Sequence, residues 1–291
     1  MNSDSRPETA GPDKPGLLAR LSKGAATKPG ETYGVPGQGD TVMLSIATIA
    51  ILIAIWWLVT FMGWVKPLFV PSPGAIATKF FDILNNGFTG TPLWEHVAIS
   101  TGRVFGAFLL ACVVGIPLGL AMGMSPLMRG IFDPPIEFYR PIPPLAYLPL
   151  MIIWFGIGET SKVLLIFLSV FAPVALGARS GVRSAAIEQI HAAYSFGASR
   201  WNVMRHVILP SAMPEILTAM RIGIGFGWTT LVAAEMVAAT KGIGYMVLSA
   251  SQFLQTATVI NGIIIIAAIA YAFDMLMRWV ERKVVPWKGR M

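Results

Sequence analysis

The chain has 291 residues, with 22 Lys or Arg against 15 Asp or Glu; 13% of its residues are charged and 55% are hydrophobic. An ordinary soluble domain carries about a quarter of its residues as charges, so this composition argues against a soluble enzyme or binding module. The single Cys112 excludes an intrachain disulfide, and no Cys/His group has the spacing of a zinc site.

Residues 1–40 hold five prolines and seven glycines among mixed charges. They lack an apolar period and are read as a disordered cytoplasmic tail, with no cleavable signal peptide. Residues 41–291 are read as one transmembrane domain. A spanning helix needs about 20 apolar residues, because about 30 Å of hydrocarbon is crossed at about 1.5 Å per residue. Twenty-five uncharged residues separate Asp40 from Lys66, and another 25 separate Arg103 from Arg129. Shorter windows run from Arg140 to Glu159 and from Lys162 to Arg179. The window from Arg221 to Lys241 is interrupted only by Glu235, and the last runs from Lys241 to Asp274. The expected fold is all-α, a polytopic membrane protein with six spans near 42–64, 97–123, 136–157, 162–182, 214–240 and 258–280. The fourth is short, so Lys162 and Arg179 are expected to snorkel to the two interfaces.

Lys and Arg concentrate on the cytoplasmic side of membrane proteins. With six spans, 17 of them share a side with both termini. Four face the other way, Lys66, Lys79, Lys162 and Lys241, and Arg103 stands near the start of the second span. Both termini are therefore expected in the cytoplasm, and the positive excess requires no nucleic acid.

Small residues let helices approach closely in lipid. Gly115, Gly119 and Gly123 line one face of the second span, and Gly223 and Gly227 one face of the fifth. They suit either contacts within one subunit or an interface with another. Pro134, Pro135, Pro141, Pro143, Pro144 and Pro149 are too dense for one regular helix and predict a broken start to the third span. Such a break survives at membrane depth only when packed in protein or lining a cavity. Glu235, buried in an apolar run, reads as an anchor bonded to a neighbouring helix or as a pathway residue. Arg103 reads as a partner for a carbonyl or carboxylate, and Glu137 as a partner for Arg140 one helical turn on.

Between the fourth and fifth spans, residues 184–210 are amphipathic. Ile187, Ile190, Ala193 and Tyr194 fall at helical spacing, Gly197 breaks the pattern, and Ser199 can cap a second short helix that runs from Arg200 until Pro210 stops it. Ala192-Ala193, three residues, Gly197, nine residues, Val207, one residue and Leu209-Pro210 resemble the EAA loop of binding-protein-dependent ABC importer permeases. His191 stands where that motif carries its acid. The similarity extends from about residue 42 to the C-terminus. It is strongest to the taurine, alkanesulfonate and nitrate group, with residues 139–162, 208–236 and 241–253 most like its taurine members.

The resemblance implies the type I ABC importer permease fold. It also implies a coupling surface built from Glu188, His191, Ala192, Ala193, Gly197, Ala198, Ser199, Arg200, Val207, Leu209 and Pro210. The implied partners are a second copy of this chain, two cytoplasmic ABC ATPases that carry ATP and Mg, and a periplasmic solute-binding protein, all in a bacterial inner membrane. The implied cargo is taurine or a related small sulfonate. Alkanesulfonate, nitrate and a thiamine precursor remain open, as does a stand-alone secondary carrier. Trp228, Thr229, Thr230 and Glu235 are candidates for the substrate pathway. No phosphate-binding G-x-x-x-x-G-K-[ST] loop occurs, so ATP hydrolysis is expected elsewhere. His96, His191 and His206 lack a nucleophile and an acidic orienter, so no catalytic residue, bound cofactor or metal ligand is expected in this chain.

Overall fold

The computed structural model describes residues 23–24, 39–40 and 42–287. They fall into two units, Met1–Pro73 and Gly74–Met291. In the first, Lys23–Gly24 pairs antiparallel with Gly39–Asp40; the remainder of the expected 1–40 tail lies outside the described residues. Helix α1 (Val42–Phe61) follows. It is apolar around its whole circumference, and Met43, Ile46, Ile49, Leu52 and Ile53 are each more than 50% exposed. That is the surface of a helix solvated by lipid chains.

The second unit begins with the amphipathic α2 (Pro73–Asn86), which buries Ile76 and Ile83. Gly87, at φ 74°, ends it and leads into a tight turn closed by the Phe88 and Thr91 backbones. Then come α3 (Leu93–Met124), α4 (Pro126–Tyr139), α5 (Pro144–Phe155) and α6 (Glu159–Gly181). After α7 (Ile187–Ser195) the chain turns into the long α8 (Arg200–Ala238), the short buried α9 (Ile243–Gln252) and α10 (Thr256–Val284).

Helix α6 lies at the centre, and glycine explains how it gets there. A methyl group on Gly119 would overlap the Ala175 carbonyl, and one on Gly123 would overlap Val182. One on Gly115 would come within 3.2 Å of the Val174 side chain. Contacts therefore advance in the same direction along both chains, so α3 and α6 run parallel. On the other flank Gly177 abuts Ala219, Gly181 abuts Ala212, and Gly223 and Gly227 face Val170. This order is reversed, so α8 is antiparallel to α6. The glycine faces are thus used inside one chain. Val104, Phe108, Ile166, Val170, Ile224, Trp228, Leu231 and Phe273 fill the core among α3, α6, α8 and α10.

Among the described residues, five helices are long and apolar enough to cross a membrane: α1, α3, α6, α8 and α10. The third crossing differs from the single span expected at 136–157. Its regular part, α5, has 12 residues, about 18 Å at the helical rise. The end of α4 supplies the rest: Ile136 packs on Ala172 and Ala175, and Leu148 and Met151 of α5 pack on Leu165. The proline effect is also narrower than expected. Pro134 and Pro135 sit inside α4 and Pro149 inside α5, leaving the break at residues 140–143.

Pro210 does not end a helix. Residues Met204–Ile208 form a π turn in which the Leu209 N–H reaches the Met204 carbonyl five residues back. The wider turn makes room for a residue without an N–H, and the helix runs on to Ala238. The two charges of the fourth span are both held in ion pairs. Lys162 is 4% exposed and holds Glu159 at 2.9 Å, while Arg179 pairs with Asp133 and, at 3.5 Å, with Glu137. Glu137 also meets Arg140, at 3.8 Å.

Candidate functional site

Three constructions stand along the α3–α6–α8 sandwich. At one end projects the hairpin of α7 and the start of α8. No residue of α7 is buried, so Glu188, His191, Ala192 and Ala193 owe the fold little. Gly197 adopts φ 81° with open space where a side chain would stand. The left-handed backbone, not crowding, selects glycine there. The Ala198 N–H bonds the Ala193 carbonyl at 3.0 Å, closing the helix end. The Ser199 hydroxyl accepts the Asn202 N–H at 3.3 Å and caps α8 at Arg200. Phe196 is 92% exposed and Trp201 63%, an unusual position for two aromatics. Val207, Leu209 and Pro210 are half-buried at the root, within or just beyond the π turn.

The second construction is a cavity of about 770 Å³ in the hairpin half of the sandwich. The broken segment Tyr139–Pro144 forms one wall, α6 around Pro173 its floor, and α8 from Pro214 to Phe226 the other wall. The proline-rich stretch therefore lines a cavity. Its lining includes two charged residues, Arg140 on the broken segment and Glu215 on α8. Oε2 of Glu215 is enclosed and has no hydrogen-bond partner among the described residues.

The third construction closes the opposite end. Arg103 of α3, 6% exposed, grips Glu159 with two bonds of 2.6 Å and Glu235 with one of 2.6 Å. It also donates to the Lys241 carbonyl at 2.9 Å. Glu235, fully buried, further accepts from the Ser100 hydroxyl at 2.8 Å and the Gly244 N–H at 2.8 Å. The Ile243 N–H donates to Ser100 at 2.8 Å, and the Gly242 N–H to Nδ1 of His96 at 3.1 Å. Gly242 has φ 128°, and a methyl group there would strike the Glu235 carboxylate. Every oxygen of the buried carboxylate is thus satisfied and its charge matched, which makes it an anchor.

The four pathway candidates separate accordingly. Trp228 belongs to the core, Thr230 is 4% exposed, Glu235 is locked in the anchor, and Thr229 alone is exposed. None of them lines the cavity. Sequence reasoning missed Glu215 and Arg140 as cavity residues. It also missed His96 and Ser100 as partners of the anchor. His96, Ser100 and Arg103 repeat at helical spacing, a signal that a polar stripe existed there.

Residues 115–286 match the family described as "Binding-protein-dependent transport system inner membrane component". The taurine transport system permease protein TauC of Escherichia coli K12 is 53% identical over 251 residues, which is 86% of this chain and 91% of that one. The putative aliphatic sulfonates transport permease protein SsuC of Bacillus subtilis 168 is 36% identical over 82% of this chain and 86% of its own. Among solved structures, an inward-facing conformation of the MetNI methionine ABC transporter aligns with a TM-score of 0.54 at 18% identity. It covers 66% of this chain and 94% of that one.

Proposed function

Because this chain belongs to the family of inner membrane components of binding-protein-dependent transport systems, we propose that it is the permease subunit of an ATP-driven importer of taurine or a closely related small sulfonate. Two copies would form the membrane unit, with both termini in the cytoplasm. Two separate ATPases, holding ATP and Mg, would each seat one hairpin, and a periplasmic binding protein would deliver cargo at the anchored end.

The observation that carries the mechanism is the continuity of α8. Exposed residues of the hairpin, including Trp201, and the cavity wall at Glu215 belong to one 39-residue helix. A push on the hairpin therefore acts directly on the cavity wall. The backbone at Gly197 sets the angle at which α7 and α8 meet the partner. The anchor around Arg103 ties α8 to α3 and α6 at the far end, so motion is largest near the hairpin. The sequence likeness to a taurine permease supports the cargo.

The test is uptake by vesicles containing this chain, its ATPase and its binding protein. ATP-dependent taurine accumulation is expected, together with loss of growth on taurine as sole sulfur source when the gene is removed. Uptake of nitrate, an alkanesulfonate or a thiamine precursor in place of taurine would reassign the cargo. Uptake driven by an ion gradient without the ATPase would overturn the reading.

A further inference from the structure

We infer that the cavity between the broken third crossing and α8 is a recognition site for a zwitterion, with Glu215 taking the cationic end and Arg140 the anionic end. The inference rests on the functional reading above and adds to it where, and by which groups, the permease itself distinguishes its cargo.

The chemistry starts from Glu215. It stands on α8 one residue after Pro214, beside Gly177 of α6, where a methyl group on that glycine would lie 3.6 Å from the Glu215 carbonyl. That close approach holds its backbone against α6. Its carboxylate has an enclosed oxygen, Oε2, without a hydrogen-bond partner among the described residues. The side chain as a whole is half-buried, lines the cavity and has no ion pair among the described residues, so a cation entering the mostly apolar chamber would find an unmatched negative charge there. The other acids of α3, α6 and α8 are matched, Glu235 and Glu159 by Arg103 and Glu95 by Lys241, as is Asp133 of α4 by Arg179. Glu215 is the exception, and it lines a chamber.

Arg140, on the broken segment, belongs to the lining of the same cavity. Its ion pair is the long 3.8 Å contact with Glu137, on the exposed surface. Such a pair is worth little, so the guanidinium is available to a better anion. Its planar fork suits a sulfonate as it suits a carboxylate or phosphate. The walls between the two charges carry Tyr147, Ser180 and Thr218, and otherwise mostly apolar groups. A short molecule with an ammonium at one end and a sulfonate at the other matches that order of groups. A plain alkanesulfonate offers nothing to Glu215 and would leave its carboxylate unpaired, so the site discriminates by penalty as well as by attraction.

The test uses the assembled complex of this chain with its ATPase in nanodiscs, without the binding protein, and saturation-transfer NMR with taurine or ethanesulfonate. The wild type should bind taurine in preference to ethanesulfonate by about tenfold, as expected for one charge-assisted bond. Glu215→Gln should lower taurine to the level of ethanesulfonate, and Arg140→Gln should weaken both ligands together. Glu215→Asp, which keeps the charge, should retain the preference, and co-elution with the ATPase reports that each variant has folded. Equal binding of the two ligands by the wild type, or an undiminished taurine preference in Glu215→Gln, overturns the inference. Vesicle uptake separates this from failure of the functional reading. Taurine import that is indifferent to Glu215→Gln sinks the site alone, whereas no taurine import by the wild type sinks the reading beneath it.

Discussion

Arg103 and Glu235 are separated by 132 residues in sequence and by 2.6 Å in space. Removing one member of such a buried pair strands the other charge, at a cost of about 3–5 kcal/mol. Glu235→Ala should therefore lower the melting temperature of the detergent-solubilised chain sharply. Replacing both partners with apolar residues, Arg103→Met with Glu235→Leu, should recover much of the loss. A double variant no better than the single one would show that the anchor is not the pair. Gly242→Ala should resemble Glu235→Ala, because the added methyl strikes the same carboxylate from a backbone at φ 128°. The sequence announced each charge as anomalous, since an acid or arginine in an apolar run demands a partner. It could not say which partner, because the pairing depends on α3 and α6 running parallel and on a turn at Gly242 that carries backbone donors inward. Glu215 was illegible for a related reason. It lies well inside α8, where a lone acid between Pro214 and Ile216 gives no sign of what it meets, and only the packing of α6 and the broken third crossing places it in the lining of a chamber.

At the scale of helices, length and charge spacing marked α1, α3, α6 and α10 well, because a lipid-spanning segment needs little more than sustained apolarity. The third crossing and the start of α8 were harder, since both turn on how proline is accommodated. Local rules say that Pro210 ends a helix. A π turn before it overrides them, and α8 continues for 28 residues to Ala238. The glycine stripes were legible as faces but not as partners. Their use against α6 leads to a paired prediction. Gly119→Ala places a methyl on the Ala175 carbonyl, so it should force α3 from α6 and lower thermal stability. Gly106→Ala, on the same helix but facing open space, should be neutral or stabilising by up to about 1 kcal/mol, because alanine is the better helix former. Equal melting temperatures for the two variants would mean that the α3–α6 contact tolerates a wider separation than its geometry implies.

For the whole molecule, the question is whether the hairpin serves the fold or a partner. Its helix α7 buries nothing, Val203 and Ile208 hold only the root, and Phe196 and Trp201 stand exposed on either side of Gly197. Aromatics of this kind dominate binding energy when a partner encloses them, commonly about 2 kcal/mol or more each. Phe196→Ala and Trp201→Ala should thus leave the melting temperature of the isolated chain within about a degree, since neither side chain is part of the core. Each should weaken binding to the ATPase by about thirtyfold, the equivalent of about 2 kcal/mol, and cut substrate-stimulated ATP hydrolysis in the reconstituted importer. Gly197→Val separates geometry from contact. A Cβ at this position meets no atom within 4 Å, yet a β-branched residue is disfavoured at φ 81°. The hairpin angle should therefore change without a new clash in the permease, and uptake should fall together with stimulated hydrolysis. Gly197→Asn, which tolerates the left-handed backbone better, should retain more of both. If Gly197→Val transports at the wild-type rate, the bend does not transmit force. If Phe196→Ala and Trp201→Ala instead lower the melting temperature of the chain alone, the hairpin is a structural element of the permease and its partner must bind elsewhere.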